Sequence, residues 1–323
     1  MVFRSTRAAP TPSERASAHG STVMLSVLLG LVVAVNLVFA FVFVRDLLRH
    51  RAELRSEPGS VIGQALSSVV TFFFSTFGIS DFAISTVVYR RAKWVPDEKL
   101  PGTLNAQCVI PVAVMAVSYI SSIEVGLVTL FTFIIAQCVG AYLGPRFVVR
   151  LPVNTIRLFI GIGLVVTSFM ILAGQLGWIP SNGVATELTG WKFALGAVCM
   201  FVFGALNNVG IGSYALTMAT TYALGMNPAA AFPIMMGACA LSVPIGSSQF
   251  VKFGTYSRKL TLSTSTFGVL GVLVAVYVVK SLDVTVIKWV VLAVLVYTAV
   301  TILRAFALGR RAQPTAPEKE VAA

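Results

Sequence analysis

Residues 193–251 read FALGAVCMFVFGALNNVGIGSYALTMATTYALGMNPAAAFPIMMGACALSVPIGSSQFV, a run of 59 residues without one Asp, Glu, Lys or Arg. About 20 apolar residues span the hydrocarbon core of a bilayer, so this run holds at least two membrane elements. Its interior is interrupted by turn formers, Asn207-Asn208-Val-Gly210-Ile-Gly212-Ser213. A second apolar element carries the same kind of interruption at Ser75-Thr-Phe-Gly78-Ile-Ser80-Asp81. Gly, Ser, Asn and Asp favour turns and helix starts over helix interiors, so both elements read as broken helices.

The rest of the chain has the same character. It is 57% hydrophobic and 11% charged, with a mean hydropathy of +0.87, which excludes a soluble fold. Further runs free of formal charge are Ser21–Val44, Pro58–Ser80, Leu100–Ile123, Val125–Pro145, Leu158–Thr186, Leu260–Val279 and roughly 289–303. The first lacks a small-residue cleavage pattern before Arg45 and reads as a retained span, preceded by a disordered tail over 1–20. The net charge of +12 is spread over short loops between apolar runs, which points to topology and anionic headgroups and away from nucleic acid.

Counting Lys and Arg decides how the broken elements sit. If both cross the membrane, the two sides carry equal numbers. If each doubles back as a re-entrant hairpin, at about 58–90 and 194–226, one side carries 18 of the 24 basic residues. The positive-inside rule makes that side cytoplasmic, in a plasma or inner membrane.

The chain also repeats itself. Gly78-Ile-Ser-Asp-Phe-Ala-Ile-Ser85 aligns with Gly210-Ile-Gly-Ser-Tyr-Ala-Leu-Thr217 at an offset of 132, and Leu151-Pro-Val-Asn-Thr-Ile-Arg157 aligns with Leu282-Asp-Val-Thr-Val-Ile-Lys288 at 131. The repeats are then 58–174 and 194–305, each a broken hairpin followed by three spans, with a cytoplasmic tail over 306–323. Three crossings invert the second copy relative to the first. The expected fold is an all-α polytopic membrane protein with two inverted repeats and one extra N-terminal helix, an arrangement typical of transporters.

These residues carry a resemblance to the sulfite exporter TauE/SafE family of membrane permeases. It rests on Phe77-Gly78-Ile79-Ser80 and Val209-Gly210-Ile211-Gly212-Ser213, on Leu100-Pro-Gly-Thr-Leu-Asn105, on Val139-Gly140-Ala141-Tyr-Leu-Gly144 with Leu151-Pro152, and on Ala230-Ala231-Phe232-Pro233 followed by Met236-Gly237. It covers nearly everything from 58 to 305. Where many members have a run of glycines at the first break, this chain has Ser80-Asp81. The resemblance implies export or import of a small anion, typically sulfite, a sulfonate or a related organic acid, driven by an ion gradient; export is the expected direction, and a proton or sodium is the candidate coupling ion.

Physical reading of the breaks leads to the same place. A helix that starts inside the membrane presents unpaired N–H groups and the positive end of its dipole, which suits a small anion. The candidate substrate-binding residues are therefore Gly78, Ser80, Asp81, Asn207, Asn208, Gly210, Gly212 and Ser213. Asp81 is an ionisable group at membrane depth and a functional candidate on that ground; its useful role beside an anion is proton coupling. The competing structural explanation is that Asp81 only N-caps the helix over 82–89. Asn207 and Asn208 can donate to an oxyanion or simply satisfy freed backbone groups. Asn105, Gln107 and Lys252 are candidate path-lining residues, although an interfacial position for the first two and snorkelling for Lys252 explain them equally.

Cys108, Cys138, Cys199 and Cys239 lie in apolar stretches without metal-ligand spacing and read as small buried hydrophobes. The chain shows no P-loop, HExxH or GxSxG, so neither an enzyme nor a cofactor nor a metal is expected. Two other functional classes stay open: a membrane-embedded accessory or scaffold protein without transport activity, and, with fewer candidate ligands, a cation transporter.

Overall fold

A computed structural model describes residues 12–143, 153–178, 183–207 and 213–311. The helices are α1 (Pro12–Arg49), α2 (Arg51–Ser56), α3 (Val61–Thr76), α4 (Asp81–Ala92), α5 (Leu100–Ile120), α6 (Leu127–Leu143), α7 (Val153–Gln175), α8 (Gly190–Asn207), α9 (Tyr214–Ala223), α10 (Ala231–Phe253), α11 (Arg258–Ser263), α12 (Val269–Ser281) and α13 (Val284–Arg311). A π-helical turn, Thr264–Gly268, joins α11 to α12. Among the described residues, five stretches are long and apolar enough to cross a membrane: Thr22–Arg49, Leu100–Ile120, Pro228–Phe253, Arg258–Ser281 and Thr285–Leu308. The chain is a multi-pass, all-helical membrane protein. Helix α1 reaches back to Pro12, into the stretch expected to be a disordered tail; a proline followed by Ser13 and Glu14 suits a first helical turn, where the missing N–H costs nothing.

Both broken elements double back. Trp94, just past α4, packs on the positions of Gly59 and Gly63 at the start of α3, so α3 and α4 begin and end together. In the second element, Ala185 ahead of α8 pairs with Met226 past α9, and Asn227 N donates to Ala185 O at 2.8 Å. The two hairpins open at opposite ends of the long helices. At the first mouth, Ser257 N donates to Thr103 Oγ1 at 2.9 Å, and Arg258 meets Asp46 near the end of α1. At the second mouth, Gly126 N donates to Thr186 O at 2.9 Å, beyond the end of α5.

Helix packing follows an exchange pattern. α5 packs on α10 and α7 on α13, while α6 lies along α8 of the second hairpin and α12 along α3 of the first. The core between them is built from Phe72, Tyr119, Phe133, Phe232, Met235 and Leu295, all almost completely buried.

The extra helix α1 is fastened to the second half at two levels. Within the membrane, Asn36 Nδ2 donates to the Ala240 carbonyl of α10 at 2.8 Å. At the first mouth, Arg258 grips Asp46 with Nε at 2.7 Å and Nη2 at 3.3 Å, and also reaches Glu53 through Nη1 at 2.6 Å. Tyr256 donates its hydroxyl to Asp46 Oδ2 at 2.6 Å. Burial and the adjacent Asp46 carboxylate raise the Tyr256 pKa above its ordinary value, so it remains a donor. The Glu57 carboxylate accepts from the backbone N–H groups of Arg258 and Lys259, capping α11.

Candidate functional site

The first break is a backbone solution to an interrupted helix. Phe77 and Gly78 donate to the carbonyls of Phe74 and Ser75, which closes α3. Gly78 sits at φ +93°, a left-handed conformation that favours glycine, and its position rests on Met218 of α9 and Met235 of α10. The Thr76 carbonyl would be left unpaired at the end of α3, but the buried Tyr119 hydroxyl of α5 donates to it at 3.0 Å. The chain then restarts as α4.

Ser80 is the N-cap of α4, its hydroxyl accepting from Ala83 N at 3.4 Å. Asp81 is therefore not the cap; it occupies the first helical position, 5% exposed, with Oδ2 accepting no hydrogen bond. At the second break, Ser213 precedes α9 without capping it. Its hydroxyl accepts instead from Gln137 Nε2 of α6 at 3.0 Å and lies 3.9 Å from Cys239 Sγ. Asn208, Gly210 and Gly212 lie outside the described residues, as does the side chain of Asn207, whose backbone ends α8.

The starts of α4 and α9 face one another across a cavity of about 20 Å³. Ser80, Asp81 and Phe82 line it from α4, Ser213 and Tyr214 from α9, Cys108 from α5, and Cys239 and Val243 from α10. Six of these residues form three pairs at nearly equal sequence offsets: Asp81 with Ser213 and Phe82 with Tyr214, each 132 residues apart, and Cys108 with Cys239, 131 apart. That volume holds one water and no oxyanion, so loading requires the two helix starts to separate.

From the cavity, two buried polar rows run along the second arms. Asp81, Ser85 and Tyr89 share one face of α4, and Ser213, Thr217 and Thr221 share the matching face of α9. Gln107 ties the first row together, donating to Ser85 Oγ at 3.0 Å and accepting from the Tyr89 hydroxyl. In the second row, Thr221 donates to the Thr217 carbonyl at 2.8 Å. The first row leads towards Arg90 and Arg91. The second leads towards Gly225, beside Lys192.

The other path-lining candidates separate. Gln107 is fully buried in the first row. Asn105 turns its amide to the Pro101 carbonyl of its own helix at 2.9 Å, and Lys252 is exposed in the last turn of α10. Sequence reading missed Cys108, Cys239, Phe82, Tyr214 and Gln137. The repeat offset carries the signal for the first four, whereas Gln137, which bonds across to Ser213, has no local motif.

The architecture is that of a polytopic membrane protein built on two opposed broken hairpins. The model of the family Sulfite exporter TauE/SafE, a family of membrane permeases, matches residues 15–171, from α1 through most of α7. That match bears out the family read from the sequence over the first half of the chain; it takes in α1, which that reading left outside, and stops short of the motifs at 209–213 and 230–237. No curated protein and no solved structure matches the chain.

Proposed function

We propose that this protein is a secondary transporter, and specifically an exporter, of a small anion of the sulfite or organosulfonate class across the cytoplasmic membrane, with its site between the starts of α4 and α9. The observation that carries this reading is the meeting of two helix N-termini, one from each half, at a single buried cavity. Each start offers unpaired N–H groups and a partial positive charge where an oxyanion is most easily held. Ser80 and Ser213 add hydroxyl donors, and Asn207, Asn208, Gly210 and Gly212 remain the further candidates from the second break. Asp81 carries a coupling proton.

In this reading the halves 58–174 and 194–305 are inverted repeats. Support comes from the hairpins opening at opposite ends of α1, α5 and α10, and from the exchange pattern in helix packing. The two polar rows then lead from the site to opposite faces, which gives alternating access a path on each side.

The test is flux of labelled sulfite or methanesulfonate in proteoliposomes, compared with Ser213→Ala. Loss of saturable flux in a variant that stays folded supports the site. Absence of both flux and ligand-dependent stabilisation for every anion would sink transport and leave an accessory or scaffold role.

A further inference from the structure

We infer that the cargo is a monoanion, bound only while Asp81 holds a proton, so that anion and proton travel together and the site rejects dianions. This rests on the anion-transport reading and specifies the charge class of its substrate. Charge must be matched inside this small, buried cavity. Among the described residues that line it there is no Lys, Arg or His. The positive side is supplied by two helix starts, each equivalent to roughly half an elementary charge. Together they balance about one negative charge.

Asp81 is the group that decides how much of that balance is left for cargo. As a carboxylate it takes up the whole of it, since it lies at the start of α4 and lines the same cavity. As a neutral acid it leaves room for one negative charge, and a dianion would still stand in excess by one in a low-dielectric site. The groups facing Asp81 do not change this count. They are Cys108 from α5, Tyr214 from α9 and Cys239 from α10, with Tyr89 two turns along its own helix. None of them is a cation.

A second observation points to the same ligand. Asp81 Oδ2 is buried and accepts no hydrogen bond. Protonated, the carboxyl gains an O–H that it can offer to a bound anion or to Ser75 of α3, whereas ionised it is an acceptor that repels an anion. The proton comes from the aqueous phase on the loading side, resides on the Asp81 carboxyl during transit, and returns to water on release; because it moves with the cargo, export runs down the cargo's own gradient and is opposed by an inward proton gradient. No bond of the cargo breaks, and one anion with one proton moves no net charge.

The experiment uses full-length protein in proteoliposomes, with methanesulfonate as a permanent monoanion and sulfate as a dianion across neutral pH, under clamped voltage. The expected result is methanesulfonate flux driven by acid on the cargo side and indifferent to voltage, with sulfate excluded. Apparent affinity falls about tenfold per pH unit above the titration of Asp81, as one bound proton requires. Asp81→Asn is expected to carry methanesulfonate with a flat pH profile, uncoupled from the pH gradient and responsive to voltage. Sulfate carried as well as methanesulfonate, or wild-type flux that follows voltage, overturns the charge assignment while leaving the anion site standing. No flux and no stabilisation with any anion overturns both.

Discussion

Gly140 and Gly271, 131 residues apart in the chain, each let their helix lie directly against the carbonyl of a broken-hairpin arm. A Cβ on Gly140 would collide with Phe201 O of α8, and one on Gly271 with Val69 O of α3. Val69 and Phe201 are themselves 132 residues apart. The reciprocal contact is kept one turn away, where Gly204 meets Gln137 O and Gly268 meets the Phe72 ring. Close helix approach through small residues is how packing is gained in a lipid solvent that offers no hydrophobic drive.

Gly140→Val and Gly271→Val are therefore expected to destabilise to a similar degree, by about 1–3 kcal/mol each from overpacking. Gly163→Val, at a position with open space around it, serves as the control. Thermal unfolding in detergent checks this; a large drop for one glycine and none for its mate would argue against equivalent roles.

Tyr119→Phe keeps the ring stacked on Phe232, 5.0 Å away, but removes the donor to the Thr76 carbonyl. A buried acceptor left unpaired costs about 1–3 kcal/mol. The loss should appear as faster hydrogen exchange at the end of α3 and over Phe77–Ser80, with α13 unaffected. Unchanged exchange at the break would mean that another donor takes over.

Arg258→Met takes the guanidinium from Asp46, which is partly buried and keeps His50 and the Tyr256 hydroxyl beside it, and losing charge-assisted hydrogen bonds of this kind costs about 1.5–3 kcal/mol. Both side chains are shielded, at 4% and 12% exposure, so the stability difference should persist at high salt. Protease sensitivity of the α1–α2 junction, around His50, provides the readout. A variant whose α1 stays as protected as the wild type would show that Asn36 alone suffices to hold it.

Cys108 and Cys239 line the closed cavity, whereas Cys138 and Cys199 are only partly buried elsewhere. In a Cys138→Ser, Cys199→Ser background, a membrane-permeant maleimide is expected to label Cys108 and Cys239 slowly, and saturating substrate should change that rate several-fold. Rapid labelling without any substrate effect would place the opening elsewhere.

Much of this architecture can be read from residue types. The breaks announce themselves because Gly78, Ser80 and Asp81, or Asn207, Asn208 and Gly210, have no business in the middle of a membrane helix unless the backbone turns there. The re-entrant course follows from where Lys and Arg collect. What stayed hidden depends on tertiary pairing. Cys108 looks like any small apolar residue until α5 places it opposite Asp81. Asp81 looks like a cap until Ser80 takes that position. Arg258 looks like one more basic residue in a loop, and only the proximity of Asp46, 212 residues earlier, explains why a guanidinium is buried there.

The fastening of α1 also has a temporal side. Chains are made from the N-terminus, so α1 enters the bilayer before any of its partners exist. Its anchor points, Ala240, Tyr256 and Arg258, are synthesised more than 200 residues later. Until then the Asn36 amide has only the Val32 carbonyl of its own helix and Asp46 has only His50 one turn on, so α1 gains its bonds to the second half only when α10 and the loop after it are in place. The element inserted first thus receives its long-range hydrogen bonds last, and a nascent chain arrested before Ala240 holds α1 through its packing on α5 without them.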